Sequence, residues 1–157
     1  MIFSRTFAMP NALTFSIAPI AAFLDRYCNG GVIVDPFARD SKRGTITNDI
    51  NPLTSAQYHL HAVEFLAKLT ADGVVASAVL FDPPYSPRQI SEAYKVAGIK
   101  ATTQDTQNAR LYGDVKRAAT ALLHPGGYAL SFGWNSMGFG LKNGFEMGAV
   151  GCPRRRT

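Results

Sequence analysis

This chain of 157 residues has few cysteines and no long apolar run. Its two cysteines, Cys28 and Cys152, form no Cys-x-x-Cys pair and no cluster with histidine at zinc-ligand spacing. We therefore predict reduced thiols and no metal site. No apolar run reaches the roughly 18 residues that span a bilayer, and the first ten residues lack the apolar core of a secretion signal. These absences predict a soluble, cytoplasmic protein with no membrane partner.

Charged residues are also sparse, at 17% of the chain, whereas apolar residues make up 46%. This balance is typical of a globular domain rather than a disordered segment. No repeat or linker divides the sequence, and its length suffices for one core. We therefore predict a single domain over residues 1–157. The net charge of +5 suits a polyanionic partner, but charge alone favours an ordinary solvated surface.

Short apolar segments alternate with segments of helical periodicity along the chain. The predicted strands are 32–34, 45–47, 58–60, 76–81 and 128–132, and the predicted helices are 20–27, 62–69 and 110–123. Short strands that are entirely apolar are typical of parallel sheets buried on both faces. The alternation predicts an α/β fold with a mostly parallel sheet and helices on both faces.

Three of the predicted strands end at an acidic residue: Asp35, Asp49 and Asp82. In open parallel sheets the ligand binds beyond the carboxyl ends of the strands. These three carboxyl groups should therefore lie along one edge of the sheet. We expect a site there for a ligand rich in hydroxyl and amino donors.

The segment Val79–Ser86, V-L-F-D-P-P-Y-S, places two adjacent prolines directly after a buried strand. Prolines stiffen the backbone and remove its donors, so Asp82 and the carbonyl of Pro83 would form a pocket that only accepts hydrogen bonds. Such a pocket suits the two N–H groups of an amine on an aromatic base, and Tyr85 could stack on that base. A rigid turn with no ligand is the structural alternative.

Asp82-Pro83-Pro84-Tyr85 resembles the D-P-P-Y motif of amino-methyltransferases that use S-adenosylmethionine, above all the N6-adenine DNA methyltransferases. The resemblance implies a Rossmann-like class I methyltransferase fold, with these four residues as the catalytic motif. It also implies DNA as the partner and S-adenosylmethionine as the cofactor, and a base within a duplex would have to be flipped out.

Other segments extend the resemblance and imply the cofactor-binding residues. V-I-V-D-P-F-A, at 32–38, is similar to the D-P-F-x-G-x-G motif that wraps the methionine end of the cofactor. Asp49 stands where the family has an acid for the ribose hydroxyls, and T-F-S-I-A-P-I, at 14–20, resembles the segment that packs over the cofactor. The cofactor-binding residues implied in this way are Phe15, Ile17, Asp35, Pro36, Phe37, Asp49, Ile50, His61 and Ala62.

Three departures from the family pattern are visible. Arg39-Asp40-Ser41 replaces the expected Gly-x-Gly, so the cofactor loop should take another path. His61-Ala62 stands where many relatives carry Asp-Ala, and a neutral His61 would accept from the adenine amine of the cofactor through its unprotonated nitrogen. A seventh strand does not fit, so we predict incomplete C-terminal strands, with a sixth strand beginning within 144–147 and an irregular tail over 148–157.

The polar segment 86–108 directly follows the motif and is predicted to be a long loop. We expect a lid over DNA whose phosphate contacts come from Arg88, Lys95 and Lys100. No target-recognition domain is visible in the sequence. Selectivity would then be weak, or would come from this lid, a homodimer or a separate recognition subunit.

Two alternatives stay open on the sequence alone. The motif also suits other base amines, namely cytosine N4 in DNA or guanine N2 in RNA. The missing glycines and the shortened end instead suit a degenerate domain that binds nucleic acid or the cofactor without turnover. A nicotinamide-binding domain is disfavoured because no G-x-G-x-x-G follows the first predicted strand of the sheet.

Overall fold

The computed structural model describes residues 2–7, 13–98, 108–133 and 138–154. Two short 3-10 turns, Thr14–Ser16 and Leu141–Asn143, accompany the regular elements of these ranges. In chain order those elements are β1 (Ile2–Phe7), α1 (Ala18–Tyr27), β2 (Ile33–Asp35), β3 (Ile46–Thr47), α2 (Ala62–Ala71), β4 (Ala76–Phe81), α3 (Pro87–Val96), α4 (Asn108–Leu122), β5 (Leu123–Ser131) and β6 (Ala149–Arg154).

The main sheet has four parallel strands in the order β3-β2-β4-β5. The register pairs Val34 of β2 with Ile46 on one side and with Val79 of β4 on the other. The predicted α/β fold with a parallel sheet is confirmed, and its architecture is Rossmann-like. All three acid-bearing strands therefore end at the same edge of the sheet.

Helices cover both faces of the sheet, and the four consecutive apolar residues of β4 from Ala78 to Phe81 are all buried. Val79 and Phe81 pack in one buried cluster, whereas Ala78 and Leu80 pack in another on the opposite face. Successive strand residues point to opposite faces. The first cluster includes Phe65, Leu66 and Leu69 of α2 and Val115, Ala119 and Leu122 of α4, and the second includes Leu24 of α1 and Phe15.

Most predicted elements are present with boundaries shifted by a few residues. The strand 76–81 coincides with β4, and each of the predicted helices 20–27, 62–69 and 110–123 is present. The predicted strand 58–60 is wrong: Tyr58 forms only an isolated bridge with Asn48. The amide of Leu60 donates to the Asn48 side chain at 2.9 Å instead of to a neighbouring strand. The fifth predicted strand begins earlier than expected, at Leu123.

The predicted loop over 86–108 is also wrong, because residues 87–96 form helix α3. Ser86 is its N-cap, and its side chain accepts from the amide of Gln89, whose own side chain accepts from the amide of Ser86. Pro87 at the first helical position needs no donor there. The rest of the proposed lid, including Lys100, lies largely outside the described residues.

The prediction of an irregular tail over 148–157 is wrong for most of that segment, because it contains strand β6. This strand pairs in parallel with β1 in a separate two-stranded sheet. The strand expected to begin within 144–147 is absent from that segment, where Gly144 ends the second 3-10 turn with φ of +80°. Residues 155–157 lie outside the described ranges. Among the described residues, no helix is long and apolar enough to cross a membrane.

Candidate active site

An open cleft of about 990 Å³ lies beyond the carboxyl ends of β2, β3 and β4. Its walls come from the segments that follow these strands, the first turn of α2, one side of α3 and the 3-10 turn before α1. The predicted site residues that line it are Phe15, Pro36, Phe37, Asp49, Ile50, His61, Ala62, Asp82, Pro83, Pro84 and Tyr85.

Among the described residues, Ile17, Asp35, Arg88 and Lys95 were predicted as site residues but do not line this cleft. Ile17 is the N-cap residue of α1, and Asp35 is completely buried beneath the cleft. Arg88 and Lys95 are exposed on α3, where the Arg88 guanidinium forms an ion pair with Glu92 at 2.8 Å. Lys100 lies outside the described residues. The structure thus brings together the proposed catalytic and cofactor segments but not the proposed phosphate contacts.

The backbone of the D-P-P-Y segment is held by side chains from two helices. Gln89 Oε1 accepts from the amides of Tyr85 and Ser86 at 3.0 and 3.1 Å. The Tyr112 hydroxyl of α4 donates to the Pro84 carbonyl. The Pro83 carbonyl receives none of these three hydrogen bonds. The motif therefore keeps one backbone acceptor beside the Asp82 carboxylate while its neighbours are engaged.

The Asp82 carboxyl is partly buried at the cleft, and its environment combines opposing effects. Burial raises its pKa, whereas a hydrogen bond from the Thr14 side chain and the nearby Arg39 charge lower it. Thr14 was not identified as a site residue from the sequence. The segment that was predicted to pack over the cofactor thus contacts the D-P-P-Y segment directly.

The ring of Tyr85 is packed closely against the backbone that follows β5. A Cβ atom on Gly133 would lie 2.6 Å from both the Cζ and the hydroxyl of Tyr85, which is closer than real Cβ contacts. Only glycine leaves room for the ring at this position. Burial first, and then the Asp82 charge, raise the pKa of the Tyr85 hydroxyl, so the ring stays neutral.

The loop that follows β2 closes without the expected glycines. Arg39 stands where the resembled pattern has its first glycine, and it adopts φ of +51°, a conformation that usually costs about 1–2 kcal/mol for a non-glycine residue. Its amide donates to Asp49 Oδ2 at 3.0 Å, and Asp40 Oδ1 accepts from the Ser55 amide at 2.9 Å. The left-handed turn is therefore retained and held by two acidic side chains.

Asp49 and its buried neighbour Asn48 shape the adjacent wall. Asp49 Oδ1 accepts from the Asn51 amide at 2.9 Å, yet each carboxylate oxygen has a second lone pair for ligand hydroxyls. Burial raises the pKa of Asp49, and these backbone donors oppose the rise. The Asn48 amide group donates to the carbonyls of Pro36 and Leu60, which ties two cleft segments together. Sequence analysis missed Asn48.

Asp35 is a buried acid with one unsatisfied oxygen. Its Oδ1 accepts from the Phe37 amide at 3.1 Å, while Oδ2 has no hydrogen-bond partner among the described residues. Burial raises the pKa of Asp35 to about 8; the Phe37 amide opposes this rise, and the charges of Asp82 and Asp49 add to it. At neutral pH this carboxyl is predominantly protonated.

His61 lines the cleft, but both of its ring nitrogens contact the protein. Nδ1 accepts from the Val63 amide at 3.4 Å and so caps α2. Nε2 lies 2.9 Å from the hydroxyl of Tyr94 on α3. If Nδ1 accepts, a neutral ring carries its proton on Nε2 and donates to Tyr94. The unprotonated nitrogen that was expected to bind the cofactor is therefore engaged in capping α2.

Comparison with known proteins assigns no family to this chain. No protein-family model matches its sequence, and no curated protein matches it. Fold and site define its class: a Rossmann-like α/β domain with a cleft beyond the carboxyl ends of parallel strands. Within the described residues, no group of three or more metal-ligating side chains could hold a metal ion.

Proposed function

We propose that this protein transfers a methyl group from S-adenosylmethionine to an exocyclic base amine, with N6 of adenine in DNA as the preferred acceptor. The observation that carries the proposal is that Asp82 and Pro83 line the cleft side by side, where the Asp82 carboxylate and the Pro83 carbonyl would be the two acceptors. The groups beside them are engaged: the Pro84 carbonyl binds Tyr112 and the Tyr85 amide binds Gln89. Two fixed acceptors match the two N–H groups of a base amine.

These residues would act by orienting the amine and by accommodating its charge. The amine lone pair is delocalised into the aromatic ring, and two hydrogen bonds to Asp82 and Pro83 would turn that lone pair toward the methyl donor. Preorganised acceptors of this kind stabilise the positive charge that develops on nitrogen. The pKa of Asp82, raised by burial, makes its carboxylate a better acceptor for the departing amine proton.

The cleft has features that fit the cofactor. Its volume of about 990 Å³ falls within the range of sites for cofactors and drug-sized ligands. Asp49 keeps lone pairs for ribose hydroxyls, Phe37 and Ile50 offer apolar surface, and the left-handed turn at Arg39 forms the loop that glycines form in the family. When bound, S-adenosylmethionine would supply the electrophilic methyl group.

We propose DNA as the partner and the cytoplasm as the site of action. The net charge of +5 and the basic residues on α3 support a polyanionic partner. We propose that recognition of a target sequence involves a second copy of the chain or a separate subunit.

The direct experiment incubates the protein with radiolabelled S-adenosylmethionine and unmethylated DNA, then digests the DNA and identifies the labelled nucleoside. We expect the label in N6-methyldeoxyadenosine. Asp82→Ala should lower the rate about 10²- to 10³-fold, with cofactor affinity by calorimetry changed less than about threefold. Asp72→Ala, an exposed acid paired with Lys68, serves as the matched control.

The outcome also discriminates the alternatives. Label on cytosine N4, or on guanine N2 when RNA is offered, would keep the chemistry and change the acceptor. Cofactor binding without transfer to any base would favour a binding domain without turnover. Absence of cofactor binding at millimolar concentration, together with absence of transfer, would rule out the proposed function.

A further inference from the structure

The peptide group that joins Pro84 to Tyr85 is held at both of its polar atoms. Its carbonyl oxygen accepts from the Tyr112 hydroxyl, and its amide donates to Gln89 Oε1 at 3.0 Å. These two side chains belong to different helices, α4 and α3. A peptide plane that is fixed from both sides cannot rotate without losing a hydrogen bond, so the orientation of its neighbours is fixed as well.

The ring of Tyr112 contacts the same segment on both sides of Asp82. Its centroid lies 5.9 Å from that of Phe81, with the rings nearly perpendicular, and 6.3 Å from that of Tyr85. One turn further along α4, the ammonium group of Lys116 lies 5.2 Å from the Phe81 ring. One face of α4 therefore contacts the residue before Asp82 and the tyrosine that ends the motif.

The two prolines explain why side chains outside the motif hydrogen-bond to this peptide. Proline fixes φ but leaves ψ adjustable, so the direction of the Pro83 carbonyl depends on the peptide that follows Pro84. Neither proline has an amide donor, and the Tyr85 amide belongs to the same peptide group as the Pro84 carbonyl, so none of these three residues can donate to that carbonyl through its backbone. A hydroxyl from a neighbouring helix supplies the missing donor.

We propose that Tyr112 is a positioning residue: its hydroxyl, together with Gln89, fixes the Pro84–Tyr85 peptide and thereby aims the Pro83 carbonyl and the Tyr85 ring at the base amine. This inference rests on the proposed function for its catalytic consequence. Its structural part, that Tyr112 holds this peptide, depends only on the contacts of Tyr112 with Pro84, Phe81 and Tyr85. Tyr112 lies outside the motif and was not identified from the sequence.

The test compares Tyr112→Phe, which keeps the ring and removes the hydroxyl, with Tyr128→Phe at an exposed tyrosine of β5. We expect Tyr112→Phe to lower kcat about 10- to 100-fold, because a small misplacement of reacting groups costs rate rather than affinity. KM and cofactor affinity should change less than about threefold. Hydrogen exchange at the Tyr85 and Ser86 amides should accelerate about five- to tenfold, and Tyr128→Phe should change none of these.

Gln89→Ala and the double variant Tyr112→Phe with Gln89→Ala complete a double-mutant cycle. Since both side chains hold one peptide, the two rate losses should be less than additive. Unchanged exchange in Tyr112→Phe would overturn the inference even if the rate fell, because the hydroxyl would then act in another way. Faster exchange with an unchanged kcat would overturn its catalytic part. If the wild-type protein methylates no base, the proposed function fails and the exchange arm alone decides whether Tyr112 holds the motif.

Discussion

At the scale of single residues, the site depends on which polar atoms the protein engages and which it leaves for a ligand. Asp82 and Pro83 line the cleft, whereas the Tyr85 and Ser86 amides and the Pro84 carbonyl are engaged by Gln89 and Tyr112. The sequence predicted Asp82 and Pro83 as acceptors because proline removes donors, and the structure places both residues at the cleft. It could not identify Thr14, Asn48 or Tyr112, since their contacts join segments that are distant along the chain.

Gly133 is the residue whose substitution should affect Tyr85 most directly. Gly133→Ala would place a methyl group 2.6 Å from the tyrosine ring, so we expect a stability loss of about 1–3 kcal/mol from overpacking. Methyl transfer should fall more than about tenfold as the ring is displaced. Denaturant unfolding and transfer rates measure the two effects.

Gly113→Ala in α4 is the matched control, because nothing lies within 4 Å of a Cβ at that helical position. It should stabilise the protein by roughly 0.5–1 kcal/mol and leave the rate unchanged. Equal effects of the two substitutions would contradict the contact between Gly133 and Tyr85.

Asp35 should make the protein less stable as pH rises, whereas acids whose pKa is lowered by folding make a protein more stable as pH rises. Burial raises its pKa from 3.8 to about 8, so between these values the native state binds a proton that the unfolded state has released. The contribution of Asp35 to stability is complete below pH 3.8 and is lost as pH rises toward 8, by at most about 1.4 kcal/mol per pH unit.

Urea unfolding of the wild type and of Asp35→Asn at pH 5, 6, 7 and 8 measures this contribution. Asparagine keeps the acceptor for the Phe37 amide and cannot titrate. We expect the wild type to lose stability relative to the variant as pH rises. Parallel pH profiles would show that Asp35 is ionised in the native state, and the assignment of a neutral buried acid would be wrong.

At the scale of elements, the sequence predicted what apolar periodicity controls. Strand β4 and helices α2 and α4 bury continuous apolar faces, and all three were found within a few residues of their bounds. Helix α3 was missed because its exposed charges suggested a loop, although Ser86-Pro87-Arg88-Gln89 is a capping box with proline at the first helical position. The parallel pairing of β1 with β6 joins the two ends of the chain, and no local pattern indicates it.

The cap of α3 should contribute both to stability and to the motif. Gln89→Ala removes the acceptor for the Tyr85 and Ser86 amides, so we expect a loss of about 0.5–2 kcal/mol. Arg88→Ala, at the neighbouring residue of the same helix, removes only an exposed ion pair with Glu92 and should leave the stability nearly unchanged. Denaturant unfolding measures the free energy of unfolding of both variants and so distinguishes the loss of a helix cap from the loss of a surface charge. Equal losses of stability in the two variants would mean that Gln89 does not hold the motif.

At the scale of the whole molecule, the question is where a polyanion would approach the cleft. Arg88 and Lys95 lie seven residues apart on α3, about two turns and 10 Å along one side of the helix. Helix α3 forms a wall of the cleft through Ile90 and Tyr94, so its exposed cations lie beside the entrance rather than within it. The ion pair of Arg88 with Glu92 is exposed and weak, so a phosphate can compete for the guanidinium.

The double variant Arg88→Gln with Lys95→Gln should therefore weaken DNA binding in a manner that depends on salt. Each phosphate contact contributes about 0.9 to the slope of log affinity against log salt concentration, so the slope should decrease in magnitude by about 1–2. Fluorescence anisotropy with a labelled duplex at several salt concentrations measures it. Lys68→Gln with Arg117→Gln removes the same charge from exposed ion pairs on α2 and α4 and should leave the slope nearly unchanged. The two double variants carry the same net charge, so only local contacts with DNA can distinguish them. If both change the slope equally, DNA binding depends on net charge alone and α3 is not the contact surface.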